Sequence, residues 1–281
     1  MKKFFMVCQK NSLLTAGGLM LVILILIMIF GPSLCVNNPT KADYSQKLIP
    51  PCAQYPLGTD GLGRSVAARL VYAVRISMHI ALTVLAFSCA IGCGIGIAAG
   101  YFGGAVDHIL MRIVEIVLAF PGVILALAIL GRLGGGVSNQ IIALSLIRWP
   151  KFARLTRTET LLVRQTEYFE VARAMGNGHI RMIFRYILPN ISSRIIVTAA
   201  MSIGPIVLAS ASLSFLGVGA QPPTPELGLM INEGRDFIRS AGYISLFPGL
   251  ATALIALCFN LLGDGLNDLL NTKLREKVRA D

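Results

Sequence analysis

The chain has 281 residues, of which 55% are hydrophobic and only 14% are charged, and its mean hydropathy is +0.71. A soluble domain of this length cannot cover its surface with so few polar side chains, so the composition indicates an integral membrane protein. The net charge of +11 is then expected to reflect membrane topology and attraction to anionic lipid headgroups rather than nucleic-acid binding.

Long apolar stretches predict an all-α integral membrane protein with six transmembrane helices. A bilayer core of about 30 Å needs roughly 20 apolar helical residues. Five nearly charge-free stretches are long enough to cross it: 11–30, 76–101, 113–130, 195–218 and 241–263. A sixth, 133–147, is short and Gly-rich at its start. We include it because six spans place both termini and the Arg-rich loop on one side.

Basic residues predict which side is cytoplasmic. Lys2 and Lys3 precede an apolar run that is longer than a signal-peptide core of about 7 to 15 residues, so we expect an uncleaved first span. With both termini in the cytoplasm, the inner segments hold 17 of the 25 Lys and Arg residues, which agrees with the positive-inside rule. The other eight are outside, five of them between Lys41 and Arg75.

The outer connection, 31–75, contains the string Leu-Gly-Thr-Asp-Gly-Leu-Gly-Arg-Ser at 57–65. Here Thr59 or Asp60 is expected to cap a helix that begins near Gly61. Cys35 and Cys52 would both lie on this oxidising side, so the sequence is compatible with a disulfide between them and with two free thiols.

Gly92, Gly96 and Gly100 form a small-residue series at every fourth position of the second span. Inside an apolar helix such a series permits close packing against another helix, and we prefer this helix-packing interpretation to a nucleotide-binding loop. Prolines beside the spans, Pro121 among them, are compatible with helix kinks.

The longest Arg-rich polar interval predicts a helix, a tight turn and a second helix. The first helix has one apolar stripe at i, i+3, i+4 and i+7, formed by Tyr168, Val171, Ala172 and Met175. So short an amphipathic helix needs a partner to cover its stripe. Gly176 is expected to end it with positive φ, since glycine has no Cβ to oppose that conformation. The second helix is expected to close at Pro189.

A DNA-binding helix-turn-helix also uses two short helices around a turn. It has no need of apolar spans on both sides, however, so we regard it as the weaker interpretation.

The same interval resembles the cytoplasmic coupling loop of ABC importer permeases. The pattern of that family is Glu-Ala-Ala, three residues, Gly, nine residues, and Ile-x-Leu-Pro. Matches occur at Glu170, Ala172, Gly176, Leu188 and Pro189, and departures at Val171 and Tyr186. Neither departure removes the turn.

Further strings are similar to the oligopeptide, dipeptide and nickel permease C family, so that the resemblance covers nearly the whole chain. They lie at 57–65, 100–104, 214–219, 222–226 and 260–265. In the first of them Ser65 replaces the Asp that is usual in the family, which leaves the pairing of Arg64 open.

The resemblance implies a permease rather than an enzyme, with no catalytic, cofactor-binding or metal-ligating residues. It implies coupling to ATP-binding subunits through five residues of the loop: Glu170, Ala172, Arg173, Ala174 and Gly176. The implied partners are a second similar permease, two cytoplasmic ATP-binding subunits and an extracytoplasmic solute-binding protein, at the bacterial inner membrane. We expect an N-terminal helix and outer connection (1–74), a permease domain (75–265) and a cytoplasmic tail (266–281).

The chain has no Gly-x-x-x-x-Gly-Lys-Ser/Thr loop, so it does not hold ATP in that mode and must draw energy from a partner or an ion gradient. Gradient-driven carriers usually place carboxylates or His inside their spans. Glu115 is the one acidic candidate, and Arg112 on the same helix face favours an ion pair there. A carrier or channel acting alone is therefore the alternative function. The family implies di- or oligopeptides, nickel or metal chelates as cargo, and the sequence does not choose among them.

Overall fold

The computed structural model describes residues 12–278, and its regular structure is helical. The helices in chain order are α1 (Ser12–Leu34), α2 (Val66–Phe102), α3 (Gly104–Leu118), α4 (Gly122–Leu133), α5 (Val137–Arg164), α6 (Glu167–Ala174), α7 (His179–Arg181), α8 (Leu188–Phe215), α9 (Leu227–Gly234), α10 (Ile238–Ala241) and α11 (Tyr243–Val278). Short 3-10 turns lie at Tyr44–Gln46 and Arg235–Phe237, and a π-helical stretch, Met182–Ile187, joins α7 to α8. Within this range the β-type pairing is limited to an isolated bridge between Thr59 and Ser65.

Four of the described helices are long and apolar enough to cross a membrane. They are α1, α2, the continuous run from α7 to α8 (His179–Phe215), and Tyr243–Leu269 of α11. These helices confirm the helical class and the apolar stretches predicted at 11–30, 76–101, 195–218 and 241–263. The bent pair α3 and α4 raises the number of candidate spans to five.

The third predicted span, 113–130, is wrong as a single straight helix. The bend between α3 and α4 is 85°. Pro121 is the N-cap of α4. Proline has no N–H to donate to the preceding turn, and its ring opposes a straight continuation of that turn. The stretch is therefore long and apolar enough to cross a membrane only as a broken pair of helices.

The fourth predicted span, 133–147, covers only the start of a longer helix. Two glycines with positive φ, Gly134 and Gly136, precede α5, which continues as far as Arg164. The second half of α5 carries several basic residues, and α5 is not among the described helices that are long and apolar enough to cross a membrane by composition alone. By that criterion the described residues do not provide the six spans that the sequence predicts.

Helices α2 and α5 run parallel and in close contact. Ser88 Oγ donates a hydrogen bond to the carbonyl oxygen of Ser145. Further along both helices, Gly92 lies against Phe152, and Gly100 lies against Thr160. Since residue numbers rise together on both helices, the chain between them must return to the end at which α2 began.

The other long helices alternate in direction. Helix α8 is antiparallel to α5, because Gln140 bonds to Ser210 while Lys151 bonds to Ser202. Close glycine contacts give the same antiparallel relation for α8 with α11 and for α11 with α1. The bundle thus has two ends, which we call the connection end, where residues 35–65 lie, and the α6 end.

The largest apolar core lies where α2, α8, α9 and α11 meet, with α4 and α5 beside them. Helix α1 contributes little to it, since only 11% of its most apolar 18-residue window is buried inside the protein. Its large apolar side chains are instead exposed, for example Leu19, Ile29 and Phe30. A helix that is apolar on all sides and largely uncovered is suited to a lipid environment.

We expect Gly96→Leu to separate α2 from α5. An added Cβ at Gly96 would overlap the Thr156 side chain and the Ala153 backbone. Overpacking of this kind costs about 1–3 kcal/mol. Gly94→Leu on the same helix is the matched control, because a Cβ there meets nothing within 4 Å. Thermal unfolding of the purified protein in detergent should show a lower midpoint temperature for Gly96→Leu than for the wild type and Gly94→Leu. Equal midpoint temperatures for the two variants would contradict the close contact between α2 and α5.

Candidate functional site

Helix α6 and the turn after it form a compact unit at the α6 end of the bundle. Glu167 and Glu170 lie in the first turn of α6, where the helix dipole favours negative charge. Gly176 has a φ of +77°, as the turn chemistry predicts, and its N–H donates to Arg173 O. The side chain of Asn177 then donates to Ala172 O at 2.7 Å, so that the last turn of α6 is closed by a side chain.

The second helix does not close at Pro189, which corrects the expectation from sequence. His179 begins a run that continues through the π-helical stretch and into α8 as far as Phe215. In the π stretch the N–H of Leu188 bonds to the carbonyl oxygen of Ile183. Proline has no N–H to donate, and the irregular π-helical stretch directly before Pro189 lets the run continue through it.

The apolar stripe predicted on α6 is divided between two faces. Ala172 is buried together with Phe169, which the prediction left out, and both pack in a small core with Met182. The other three residues of the stripe point away from the protein: Tyr168 is 45%, Val171 59% and Met175 77% exposed. Two further apolar side chains beyond the turn, Ile180 (76%) and Phe184 (63%), are exposed as well. We call the exposed residues Tyr168, Val171 and Met175 the apolar α6 face.

Three further coupling candidates lie on α6. Glu170, Arg173 and Ala174 are exposed. Glu170 and Arg173 also line a cleft of about 310 Å³ between α6 and the end of α5. Neither forms a salt bridge within the described part of the chain.

Polar contacts join the α6 unit to the bundle. The Tyr101 hydroxyl is hydrogen-bonded to His179 Nδ1 at 2.7 Å, and Arg164 Nη1 donates to Gly100 O at 2.8 Å. Nearby, Arg157 binds Asp107 through two nitrogens, with N···O distances of 2.5 and 2.6 Å. Through these contacts the ends of α2, α3 and α5 are connected to the segment that carries α6.

The three helix-packing candidates lie along one side of α2. Gly92, Gly96 and Gly100 are all buried, and the ideal Cβ position at each of them is occupied by backbone or side-chain atoms of α5. The carbonyl oxygen of Gly100 is also the acceptor for Arg164. The seam between α2 and α5 therefore ends at the α6 unit.

The string at 57–65 does not cap a helix near Gly61, contrary to expectation. Helix α2 begins at Val66, and Ser65 is its N-cap, accepting a hydrogen bond from Ala68 N. Asp60 instead organises a turn, with one carboxylate oxygen accepting the N–H groups of Leu62 and Arg64. The Ser that departs from the family pattern thus serves as a helix cap.

Asp60 is also part of a buried four-residue ion cluster at the connection end. Its other carboxylate oxygen lies 2.7 Å from Arg64 Nε and 2.5 Å from Arg69 Nη1. Glu233 of α9 binds the same two arginines at 2.9 and 2.6 Å. Both arginine side chains are at most 4% exposed. This ion cluster gives the pairing of Arg64 that the sequence left open, and it holds the 35–65 connection to α2 and α9.

Glu226 occupies a second buried polar position, just before α9. Its carboxylate accepts hydrogen bonds from Leu229 N at 3.0 Å and from the Ser77 hydroxyl at 3.2 Å. Burial raises the pKa of this carboxyl group above its ordinary value, although those hydrogen bonds oppose the shift. Glu226 caps α9 and ties it to α2.

The remaining candidates do not form a metal or disulfide site. Cys35 and Cys52 are both free thiols. Arg112 and Glu115 form the expected pair at 3.3 Å, exposed to the surroundings. No group of three or more His, Cys, Asp or Glu residues able to hold a metal occurs in the part of the chain that the structure describes.

Comparison with known proteins gives one family. Residues 92–276 match the family described as binding-protein-dependent transport system inner membrane component. The dipeptide transport system permease protein DppC of Alkalihalophilus pseudofirmus is 38% identical over 274 residues, covering 98% of this chain and 90% of the relative. The glutathione transport system permease protein GsiD of Pectobacterium atrosepticum is 39% identical over 275 residues, covering 98% and 91%.

Solved structures share the fold. The inward-facing MetNI methionine ABC transporter matches with a TM-score of 0.57 and 22% identity, over 69% of this chain and 93% of the matched chain. An amino acid ABC transporter solved with histidines matches with a TM-score of 0.54 and 16% identity, over 73% and 94%.

We expect Asp60→Asn to destabilise the protein strongly, because it leaves two buried arginines with one carboxylate. Breaking a buried ion pair costs about 3–5 kcal/mol. Asp236→Asn is the control, since Asp236 is 76% exposed in its pair with Arg235 and an exposed pair contributes about 0–1 kcal/mol. Thermal unfolding in detergent, with limited proteolysis of the 35–65 connection, measures both. Similar behaviour of the two variants would show that the ion cluster does not hold the connection.

Proposed function

The chain belongs to the family of binding-protein-dependent transport system inner membrane components, the permeases of ABC importers, and from this premise we propose that it is a six-span permease subunit that imports dipeptides or glutathione-like peptides. Its partners would be a second homologous permease, two cytoplasmic ATP-binding subunits and a solute-binding protein. The alternative of an ion-gradient carrier acting alone is not favoured, since the family serves binding-protein-dependent systems.

Helix directions support the six-span arrangement. Helices α2 and α5 are parallel, so the intervening α3–α4 pair has to cross back between them. Helix α5 is antiparallel to α8 and is as long as that helix, with 28 residues in each. Counting α5 and the bent pair together with the four apolar helices gives six crossings in alternating directions. The boundaries proposed at 74/75 and 265/266 fall inside α2 and α11, so the three parts are continuous through helices.

The apolar α6 face is the main support for the proposed coupling role. Tyr168, Val171 and Met175 are exposed on a short helix that has already buried Phe169 and Ala172 against its own bundle. Exposed apolar groups clustered on one element are typical of an interaction site. We assign this face, with Glu170, Arg173 and the Gly176 turn beside it, to docking of an ATP-binding subunit on the cytoplasmic side.

The contacts around α6 supply a mechanical route from that docking surface to the spans. A displacement of α6 would move Phe169 and Ala172, and with them the start of the helical run that continues into α8. The same displacement would act on α2 through Tyr101 and through the bond from Arg164 to Gly100 O. ATP-driven motion of the docked subunit is thus converted into reorientation of the spans, with no covalent chemistry in this chain.

The cargo assignment rests on relatives. The two relatives described above transport dipeptides and glutathione, which favours small peptides. They give no support to the nickel alternative, and the described residues hold no metal-ligand cluster. We therefore propose small peptides with a free carboxylate as the cargo class. Uptake of labelled dialanine and glutathione by the complete transporter tests this directly.

Reporter fusions test the topology. Fusions after Gly103 and Arg164 should report cytoplasm, and fusions after Lys47 and Arg235 should report the outside, because the positive-inside rule and the alternating helices give the same orientation. Alkaline phosphatase and a cytoplasm-active fluorescent reporter provide opposite signals at each site. An outside signal after Arg164 would contradict both the six-span arrangement and the docking role of α6.

Gly176→Val tests the coupling role. The φ of +77° imposes a left-handed penalty of roughly 1–2 kcal/mol on any residue with a Cβ, which should redirect the exit of the chain from α6. We expect normal membrane insertion but dialanine uptake reduced by about tenfold, with less ATP-binding subunit co-purified.

Gly178→Val is the matched control for that experiment. Gly178 has a φ of −65° and, like Gly176, open space around an added Cβ, so valine is tolerated there without strain. Uptake and co-purification should be measured at equal expression. Wild-type uptake by Gly176→Val would refute the claim that this turn links the ATP-binding subunit to the spans.

A further inference from the structure

Two basic residues of α5, the half-buried Arg148 and the exposed Lys151, lie level with the middle of α8 without a carboxylate partner. Arg148 Nη2 donates to Pro205 O at 3.2 Å, and Lys151 Nζ donates to the Ser202 hydroxyl at 3.1 Å. None of the salt bridges found among the described residues includes either cation. An arginine carries five N–H donors and a lysine three, so most donors of this basic pair remain available.

The depth of the basic pair makes it costly unless it has a function. Its partners on α8, Ser202 and Pro205, lie within the apolar stretch 195–218, about 10 Å or more from either end of it at 1.5 Å per helical residue. Charged side chains at such a depth are unfavourable by several kcal/mol, and they usually face a polar pathway or a binding site. The position of the two cations therefore favours a polar pathway over lipid chains on this side of α5.

A cleft of about 380 Å³ is lined by the basic pair. Its other walls are apolar and include Phe120, Leu144 and Leu213. A volume of this size is within the range of small-ligand sites, which typically combine apolar walls with a few polar groups. The cleft thus has the dimensions and the chemistry for a small anionic molecule.

The break between α3 and α4 opens onto the same cleft. Phe120, Gly122 and Val123 line it, and α4 begins there with no side-chain cap. Irregular backbone at membrane depth is tolerated where it lines a cavity, and broken helices commonly form the substrate sites of transporters. The positive end of the α4 dipole adds to the positive potential of the two cations.

We propose that Arg148 and Lys151 form the site in the translocation pathway that binds the free carboxylate of a peptide during transport. The guanidinium fork matches a carboxylate in two hydrogen bonds, and the ammonium adds a point charge. The apolar walls accommodate the side chains of the peptide. This inference rests on the proposed function and specifies the chemistry by which the permease itself recognises its cargo.

The test uses the complete transporter in proteoliposomes, with radiolabelled dialanine as the probe. The double variant Arg148→Gln, Lys151→Gln, which we call the neutral variant, should lower uptake by about tenfold or more. This is a typical loss for a charge-assisted contact. ATP hydrolysis stimulated by the loaded solute-binding protein should change less than about twofold. The number of ATP molecules hydrolysed per dialanine imported should therefore rise at least about fivefold, which a general folding defect would not produce.

Two control variants distinguish the loss of charge from a change in packing. The exchange Arg148→Lys, Lys151→Arg keeps both charges and should retain most of the uptake. Arg112→Gln removes an exposed cation whose side chain is 78% exposed at the α6 end, and it should behave as the wild type. Equal losses in the neutral variant and the exchanged variant would assign the effect to packing and overturn the proposal.

Other outcomes separate this inference from the proposed function. Wild-type uptake by the neutral variant overturns the carboxylate site and leaves the importer assignment intact. Loss of the second permease on purification of the neutral variant also overturns it, because the basic pair would then be an interface contact. Failure of the unmodified transporter to import dialanine and glutathione refutes the proposed function itself.

Discussion

Backbone contact between α2 and α5 is the constraint on which the architecture depends. Glycines at every fourth position of α2 bring the two helices so close that their side chains and carbonyl groups meet at each turn. In a membrane, helices associate mainly through such packing, since burial of apolar surface gives no advantage over contact with lipid chains. Because the two helices are parallel, the chain between them has to cross back, and it does so through the broken α3–α4 pair.

The contact between α2 and α5 extends as far as the segment that carries α6. It ends at Gly100, whose carbonyl accepts the Arg164 side chain at the last residue of α5. Helix α6 follows within a few residues and buries Phe169 and Ala172 against the start of the α7–α8 run. At the opposite end, the ion cluster holds the 35–65 connection to α2 and α9. Helix α2 is therefore fixed to neighbouring elements at both of its ends.

The sequence predicts those features that depend on local patterns. Apolar length identifies four spans, and the glycine at 176 identifies the turn after α6, because both follow from a few adjacent residues. The division of the α6 stripe could not be predicted in this way. Phe169 and Ala172 are spaced i, i+3 just as Tyr168 and Val171 are, so periodicity does not indicate which of the two faces packs against the bundle. The ion cluster is also hidden, because Asp60 and Glu233 are brought together only by tertiary packing. Pro121 signals a kink but not its angle of 85°.

Charge compensation distinguishes the ion cluster and the Arg157–Asp107 pair from the basic pair on α5. Two arginines face two carboxylates in the ion cluster, and Arg157 faces Asp107 near α6. These positions are neutral as pairs and make strong, lasting contacts. Arg148 and Lys151 differ, since a permanent carboxylate beside them would occupy the cleft and compete with any anionic cargo. Leaving two cations uncompensated at depth lowers the stability of the isolated chain. The proposed carboxylate site accounts for this arrangement, because the missing negative charge would arrive with a transported molecule and then leave with it.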